Sequence, residues 1–366
     1  MTLATAFVLE ERPFVFSDLL ITFDIGEEQH GLSLPATGLV AELPRIRPRV
    51  HGLRQKLVVV ADNLVVAFAG DVLHAIAGLQ ALRAMAEGGP LTWPAVHGFF
   101  QSRLSLRRVA LVGFFSEHVH GDEYLMRRIQ VRGETIDVGY VGKIDVAGTG
   151  TDLMVEICQY IGTSGFERLP NGLRQLCKVV SMCGALTRQE HATNLSIVHA
   201  ATGGAYEIAH FEDGRFQKVE ITFVVWYVNL LEAQIDVKQP FLIIKSLYVQ
   251  DDLVLNCARW TCEADGSEQR WNLSTHAIPP GYRDRVVNKL PRPEEIGFES
   301  PITQHAILLM LGDESELFSV IEPGRSSFRA VEANGTITIP FCREVHEGLL
   351  QVVRDSRLGN RARSPQ

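Results

Sequence analysis

The 366-residue chain lacks several things that would narrow its class at once. Its six cysteines, Cys158, Cys177, Cys183, Cys257, Cys262 and Cys342, form no CxxC pair. That spacing excludes the usual zinc-ribbon and thioredoxin-type motifs, and the cysteines are expected to be reduced thiols. No run approaches the roughly eighteen consecutive apolar residues of a membrane-spanning helix. Basic residues are not in excess, 35 Lys and Arg against 43 Asp and Glu, for a formal net charge of −8. A general nucleic-acid surface is therefore not expected. Gly148-x-Gly150 is not followed by the last glycine of a dinucleotide fingerprint. The first residues have no basic stretch, and Glu10-Glu11-Arg12-Pro13 interrupts their apolar run, unlike a secretory signal. The expected location is cytoplasmic, with no membrane and no nucleic-acid partner.

What the chain does have is apolar patterning, 46% hydrophobic against 21% charged residues, ordinary for a folded chain. The centre of that patterning is Lys56–Met85. Leu57–Val60 and Leu64–Ala69 are apolar runs split by Asp62-Asn63, two residues that tolerate positive φ in a tight hairpin turn. Gly70 ends the second run and Asp71 can cap a helix. Val72, Ile76, Leu79, Leu82 and Met85 then recur at helical spacing with small residues between them.

Residues 1–16 read as a leader or edge segment. Leu19–Phe23 reads as a strand, Trp93–Leu104 as a helix, and Arg108–Phe115 with Glu123–Val131 as a hairpin. Val138–Val146 is a further strand before a helix through Tyr160, and Leu173–Ala185 is another helix. Ser196–Ala200 and Ala205–Phe211 read as strands. Two sheets with helices on their outer faces would bury this pattern. From about residue 216 to 345 the pattern is β-rich and Pro-interrupted, and 346–366 is a basic tail expected to fray.

Four stretches carry a family resemblance. They are Ser17-Asp18-Leu19-Leu20-Ile21; Gln55-Lys56-Leu57-Val58 with Val66-Ala67-Phe68-Ala69-Gly70; Val146-Ala147-Gly148-Thr149-Gly150-Thr151; and His199-Ala200-Ala201-Thr202-Gly203-Gly204-Ala205-Tyr206 with Glu212-Asp213-Gly214. In order and spacing, residues 15–215 resemble the proteasome β-subunit and HslV family of N-terminal-nucleophile (Ntn) hydrolases. The resemblance implies an α+β fold, a four-layer αββα sandwich, here with a β-rich C-terminal extension. It implies amide-bond hydrolysis without a cofactor, a protein or peptide substrate, and a homo-oligomer. Such chemistry needs a hydroxyl beside a free α-amine, which acts as its base, and a nearby lysine that lowers its proton affinity. Ser17 is then the nucleophile, freed by removal of residues 1–16, and Lys56 the lysine. The Gly70 amide holds the oxyanion, and Thr202 replaces a family serine.

The chain departs from the family at two carboxylates, with Thr37 and His199 where aspartates are expected. Asp18 alternates away from Ser17 on a strand, which leaves Lys56 without an expected partner. Two other readings stand beside the hydrolase. One is a non-catalytic assembly or binding protein. The other is a metal-dependent hydrolase around His118, His120 and Asp122, whose alternate spacing on an extended segment puts nitrogen and oxygen ligands on one side.

Overall fold

The computed structural model describes residues 3–23, 32–34, 39–41, 49–102, 108–160, 166, 169–192, 203–231, 234–262, 269–286, 291–311, 314–324, 331–333, 336–338, 346–348, 350–351 and 354. In chain order the strands begin with β1 (Leu3–Leu9), β2 (Arg12–Asp18), β3 (Leu20–Phe23), β4 (Leu32–Leu34), β5 (Leu39–Ala41) and β6 (Arg49–Leu53). The hairpin β7 (Leu57–Ala61) and β8 (Leu64–Gly70) leads into helices α1 (Val72–Glu87) and α2 (Trp93–Ser102). Next come β9 (Val109–His120), β10 (Glu123–Val131), β11 (Glu134–Val138) and β12 (Gly142–Gly148). Helices α3 (Thr151–Tyr160) and α4 (Leu173–Ala192) precede β13 (Tyr206–Glu212) and β14 (Arg215–Lys218). The rest is β15 (Ile221–Leu231), β16 (Gln234–Val249), β17 (Asp252–Cys262), β18 (Gln269–Ile278), α5 (Pro293–Ile296), β19 (Ile302–Leu311), β20 (Glu314–Pro323), β21 (Val331–Ala333) and β22 (Thr336–Thr338).

The chain divides into two compact units. One comprises Met1–Val219, Tyr248–Leu253 and Ala277–Asn288, the other the remainder. The first contains an antiparallel sheet of order β11-β12-β1-β2-β13-β14 and a second of order β10-β9-β8-β7. β8 explains how they meet. Its side chains alternate, and both faces are buried, which is why the run Leu-Val-Val-Ala-Phe-Ala is apolar throughout. Val65, Ala67 and Ala69 pack with Ala4, Ala6, Val15, Ala147 and Ala209 of the six-stranded sheet. Leu64, Val66 and Phe68 pack with Ala75, Leu79 and Leu82 of α1 and with Val96 and Phe99 of α2. Alanines are frequent on that face, beside the larger Leu57, Val112, Phe114 and Phe216. The expected hairpin, the Asp71 cap on the His74 amide and the buried stripe of α1 are all present.

The class expectation is corrected. The chain is mostly β, with twenty-two strands and five α-helices among the described residues, not a four-layer αββα sandwich of the α+β class. Helical cover is local, and elsewhere strands bury strands. In the second unit, the sheet β18-β17-β16-β15-β19-β20 is accompanied by α5, a helix of four residues. There β15 runs parallel to β19, and buried Trp226 donates its indole N–H to His305 Nδ1 at 3.2 Å.

A second correction concerns the N-terminus. Residues 3–9 and 12–16 are not a leader or an edge. They are the two middle strands of the six-stranded sheet, joined by a turn at Glu10 and Glu11, whose φ values are 47° and 70°. The Glu10 carboxylate takes Lys178 Nζ at 2.6 Å, Arg174 Nη2 at 2.7 Å and Gln175 Nε2 at 2.8 Å, fixing the turn to α4.

Candidate functional site

Along β2 the side chains of Phe14, Phe16 and Asp18 share one face, and those of Val15 and Ser17 the other. The first face is aromatic, with Phe16 stacked on Tyr206 and Phe14 on His210. Asp18 ends that row and is wholly buried. A buried carboxylate needs partners, and Asp18 has three. Its Oδ1 accepts the Leu3 amide at 2.9 Å and Lys56 Nζ at 2.7 Å, and its Oδ2 accepts the Gly203 amide at 3.0 Å.

Lys56 is 1% exposed, and Asp18 supplies its ion pair. Burial pushes its ammonium pKa below the ordinary lysine range, with the Asp18 charge opposing that shift. The expectation that Lys56 lacks a carboxylate is therefore corrected. Alternation does turn Asp18 away from Ser17, and that is what carries it toward Lys56.

The loop of Gly203 and Gly204 closes over the carboxylate. The Gly203 carbonyl accepts the Leu20 amide at 2.9 Å, and both glycines have positive φ, 125° and 84°. A Cβ on Gly204 would stand 2.5 Å from Leu53 Cδ2. Gly70 lies at the end of β8 with φ 101°, its surface exposed. It is two residues past Phe68, whose amide bonds the Lys56 carbonyl at 3.1 Å. Two strand steps put it about 7 Å along from that partner.

A second buried ion pair lies behind the first. Glu207 Oε1 takes Lys218 Nζ at 2.6 Å and the Tyr248 hydroxyl at 3.2 Å, and Lys218 also donates to Gln55 Oε1 at 2.6 Å. Gln55 precedes Lys56 and is itself held by the carbonyls of Asp251 and Ile278. Burial raises the Glu207 carboxyl pKa against the pull of Lys218. Glu207 is the register partner of Ser17.

Ser17 does not occupy a chain end. It is paired to Ala4 on one side and to Glu207 on the other, and its buried Oγ has no hydrogen-bond partner among the described residues. Cleavage before it would remove Leu3, Phe7, Leu9, Phe14, Val15 and Phe16 from the core. At roughly 1.5–3 kcal/mol for each large side chain the loss is on the order of 10 kcal/mol, the scale of a whole domain's stability. The expected nucleophile is thus an internal strand residue. Thr202, His199 and Thr37 lie outside the described residues.

His118 and His120 stand exposed at the end of β9, with Asp122 in the turn that follows. His118 Nε2 contacts the Gly121 carbonyl at 2.8 Å. Among the described residues no group of three or more His, Cys, Asp or Glu is placed to hold a metal ion. Cys158, Cys177, Cys183 and Cys257 are buried free thiols. Among the described residues no helix is long and apolar enough to cross a membrane.

Comparison with known proteins adds no identity: no family model matches the chain, and no curated protein matches it.

Proposed function

We propose that the chain is an amide-bond hydrolase of the N-terminal-nucleophile kind, with Thr2 as nucleophile in place of Ser17. The observation that supports this reading is the Leu3 amide on the Asp18–Lys56 pair. The residue joined to Leu3 in the sequence is a threonine, Thr2. Removal of everything before Thr2 gives a hydroxyl and a free α-amine on the residue joined in sequence to Leu3, whose amide shares Asp18 Oδ1 with Lys56. No strand is lost in that cleavage, in contrast to cleavage before Ser17.

Each residue then has a task. The Thr2 α-amine takes the hydroxyl proton while Oγ attacks the substrate carbonyl. Lys56, held charged by Asp18, favours the developing alkoxide. The Gly70 amide is the candidate donor to the tetrahedral oxyanion. The amine returns the proton to the leaving nitrogen, and water then hydrolyses the acyl-enzyme ester. Asp18 positions Lys56 and the first strand together.

Intact-mass spectrometry with a β-lactone tests the reading. Thr2 Oγ opens the ring, the acyl–oxygen bond of the lactone breaks, and the released alkoxide takes a proton, so the whole reagent mass is retained. The expected result is a chain beginning at Thr2 that gains one reagent mass. The adduct should persist in Ser17→Ala, vanish in Thr2→Ala and form much more slowly in Lys56→Met. A chain that starts at Thr2 and stays unlabelled, or one labelled at Ser17, overturns it. A chain that retains Met1 after purification also overturns it.

A further inference from the structure

Helix α2 has two stripes. Val96 and Phe99 are its buried face. Trp93, His97, Phe100 and Gln101 recur at i, i+4, i+7 and i+8, which puts them on a shared stripe. That second stripe forms one wall of a cavity of about 440 Å³ within the first unit. The size lies in the range of small-molecule sites.

The aromatic wall is held in place. The Trp93 ring lies 5.9 Å from Phe115 and 5.4 Å from His97, with the Arg127 guanidinium 5.5 Å from its centre. Glu117 fixes that guanidinium at 2.8 Å.

The opposite wall comes from β10, β11 and β12 and is cationic. Asp145 is buried, and both of its oxygens are engaged, by the Thr135 hydroxyl at 2.7 Å and by Arg128 Nη1 at 3.2 Å. Arg128 Nη2 also bonds the Lys143 carbonyl at 3.2 Å. The guanidinium is thus set in place while keeping further N–H donors. Lys143 lies two residues before Asp145 on the same face of β12. Its ammonium has no ion pair among the described residues, although Asp137 is its cross-strand neighbour. Asp145 compensates Arg128, and the Lys143 ammonium, with Asp137 beside it but not ion-paired to it, is the cation left to meet a ligand.

We infer that this cavity binds a planar aromatic monocarboxylate. Its ring lies against Trp93, His97 and Phe100, and its carboxylate meets Arg128 and Lys143. Ring contacts favour offset or edge geometry, and a carboxylate between two cations makes charge-assisted bonds that a neutral amide cannot. The site is separate from the Asp18–Lys56 pair. Asp145 is paired with Ala6, whereas Leu3 is paired with Gly148, three strand steps or about 10 Å away. The inference therefore does not depend on the hydrolase reading.

Isothermal titration calorimetry on the full chain tests it, with 1-naphthoate as probe and 1-naphthamide as its neutral isostere. Naphthoate is expected to bind at one site, with naphthamide about tenfold weaker or more. Lys143→Ala, at an exposed position where substitution costs little stability as a rule, is expected to weaken naphthoate about tenfold and to leave naphthamide unchanged. Absence of naphthoate binding into the millimolar range overturns the inference. So does equal affinity for the two probes, or a Lys143→Ala chain that binds naphthoate as the native chain does.

Discussion

Asp18 and Lys56 meet at 2.7 Å with neither side chain appreciably exposed, although 37 residues separate them in the chain. Such a pair is asymmetric in its energetics. Removing one partner strands a buried charge, which costs about 3–5 kcal/mol, whereas replacing both can be close to neutral. Urea denaturation of Asp18→Leu and Lys56→Met is expected to show that loss for each single variant. The double variant should be more stable than either single one. Additive losses would mean that the two residues act independently.

Ser17 is expected to behave in the opposite way. Its Oγ is buried without a partner among the described residues, so Ser17→Ala removes a desolvated hydroxyl that gains nothing from folding. The variant should match the native chain in denaturation midpoint or exceed it slightly. A loss beyond about 1 kcal/mol would show that the hydroxyl has a partner in solution.

Acid should act through Glu10. Its carboxyl is lowered from 4.5 to about 2, chiefly by the Lys178 hydrogen bond, with Arg174 and Tyr140 adding to it. A depressed folded-state value means that the ionised form is favoured by the fold. That contribution is complete above pH 4.5 and is lost as pH falls toward 2. Glu10 is partly exposed, so the effect is modest. Denaturation midpoints measured across this window should fall for the native chain and fall less for Glu10→Gln, which starts lower at neutral pH.

Gly113 tests the closeness of the central strands. A Cβ there would stand 2.2 Å from the Val65 carbonyl oxygen and 2.8 Å from the Val66 Cα. Both are backbone atoms of the paired strand, so no side chain can swing aside. Gly113→Ala is expected to destabilise by at least about 1–3 kcal/mol, read from chemical denaturation. Gly121→Ala is the exposed control. It has open space around its Cβ, though its φ of 56° carries a small strain of its own.

The sequence was most legible where physical signals were local. Asp62-Asn63 between two apolar runs marks the β7–β8 hairpin, and Asp71 before Val72 marks the start of α1. The β1–β2 hairpin was not legible, because its turn residues are Glu10 and Glu11. Both hold positive φ, where Asn or Gly is the usual signal. What stabilises that turn is tertiary, through Lys178, Arg174 and Gln175 on a helix far along the chain. Without the hairpin, residues 1–16 read as dispensable, and Ser17 aligns with a chain start. Beside Ser17 Asp18 has no evident task, whereas in the fold it holds the Leu3 amide. Alternation along β2 is legible in the sequence, but which residue it serves depends on strand pairing that no local pattern encodes. The class expectation fails for a related reason: helical stretches are conspicuous in sequence, while strands share the apolar vocabulary of buried helices.

The placement of β1 and β2 in the middle of their sheet also sets an order of events during synthesis. This hairpin can form early, yet its two outer edges are completed only by β12 and β13. At roughly 5–20 residues per second, about 10–40 s pass between translation of Ser17 and of its partner Glu207. Until β12 is made, an apolar strand pair presents unpaired amides and carbonyls on both sides, and from then until β13 it does so along β2. A nascent chain of this kind depends on protection of its first-made segment until its last neighbour emerges.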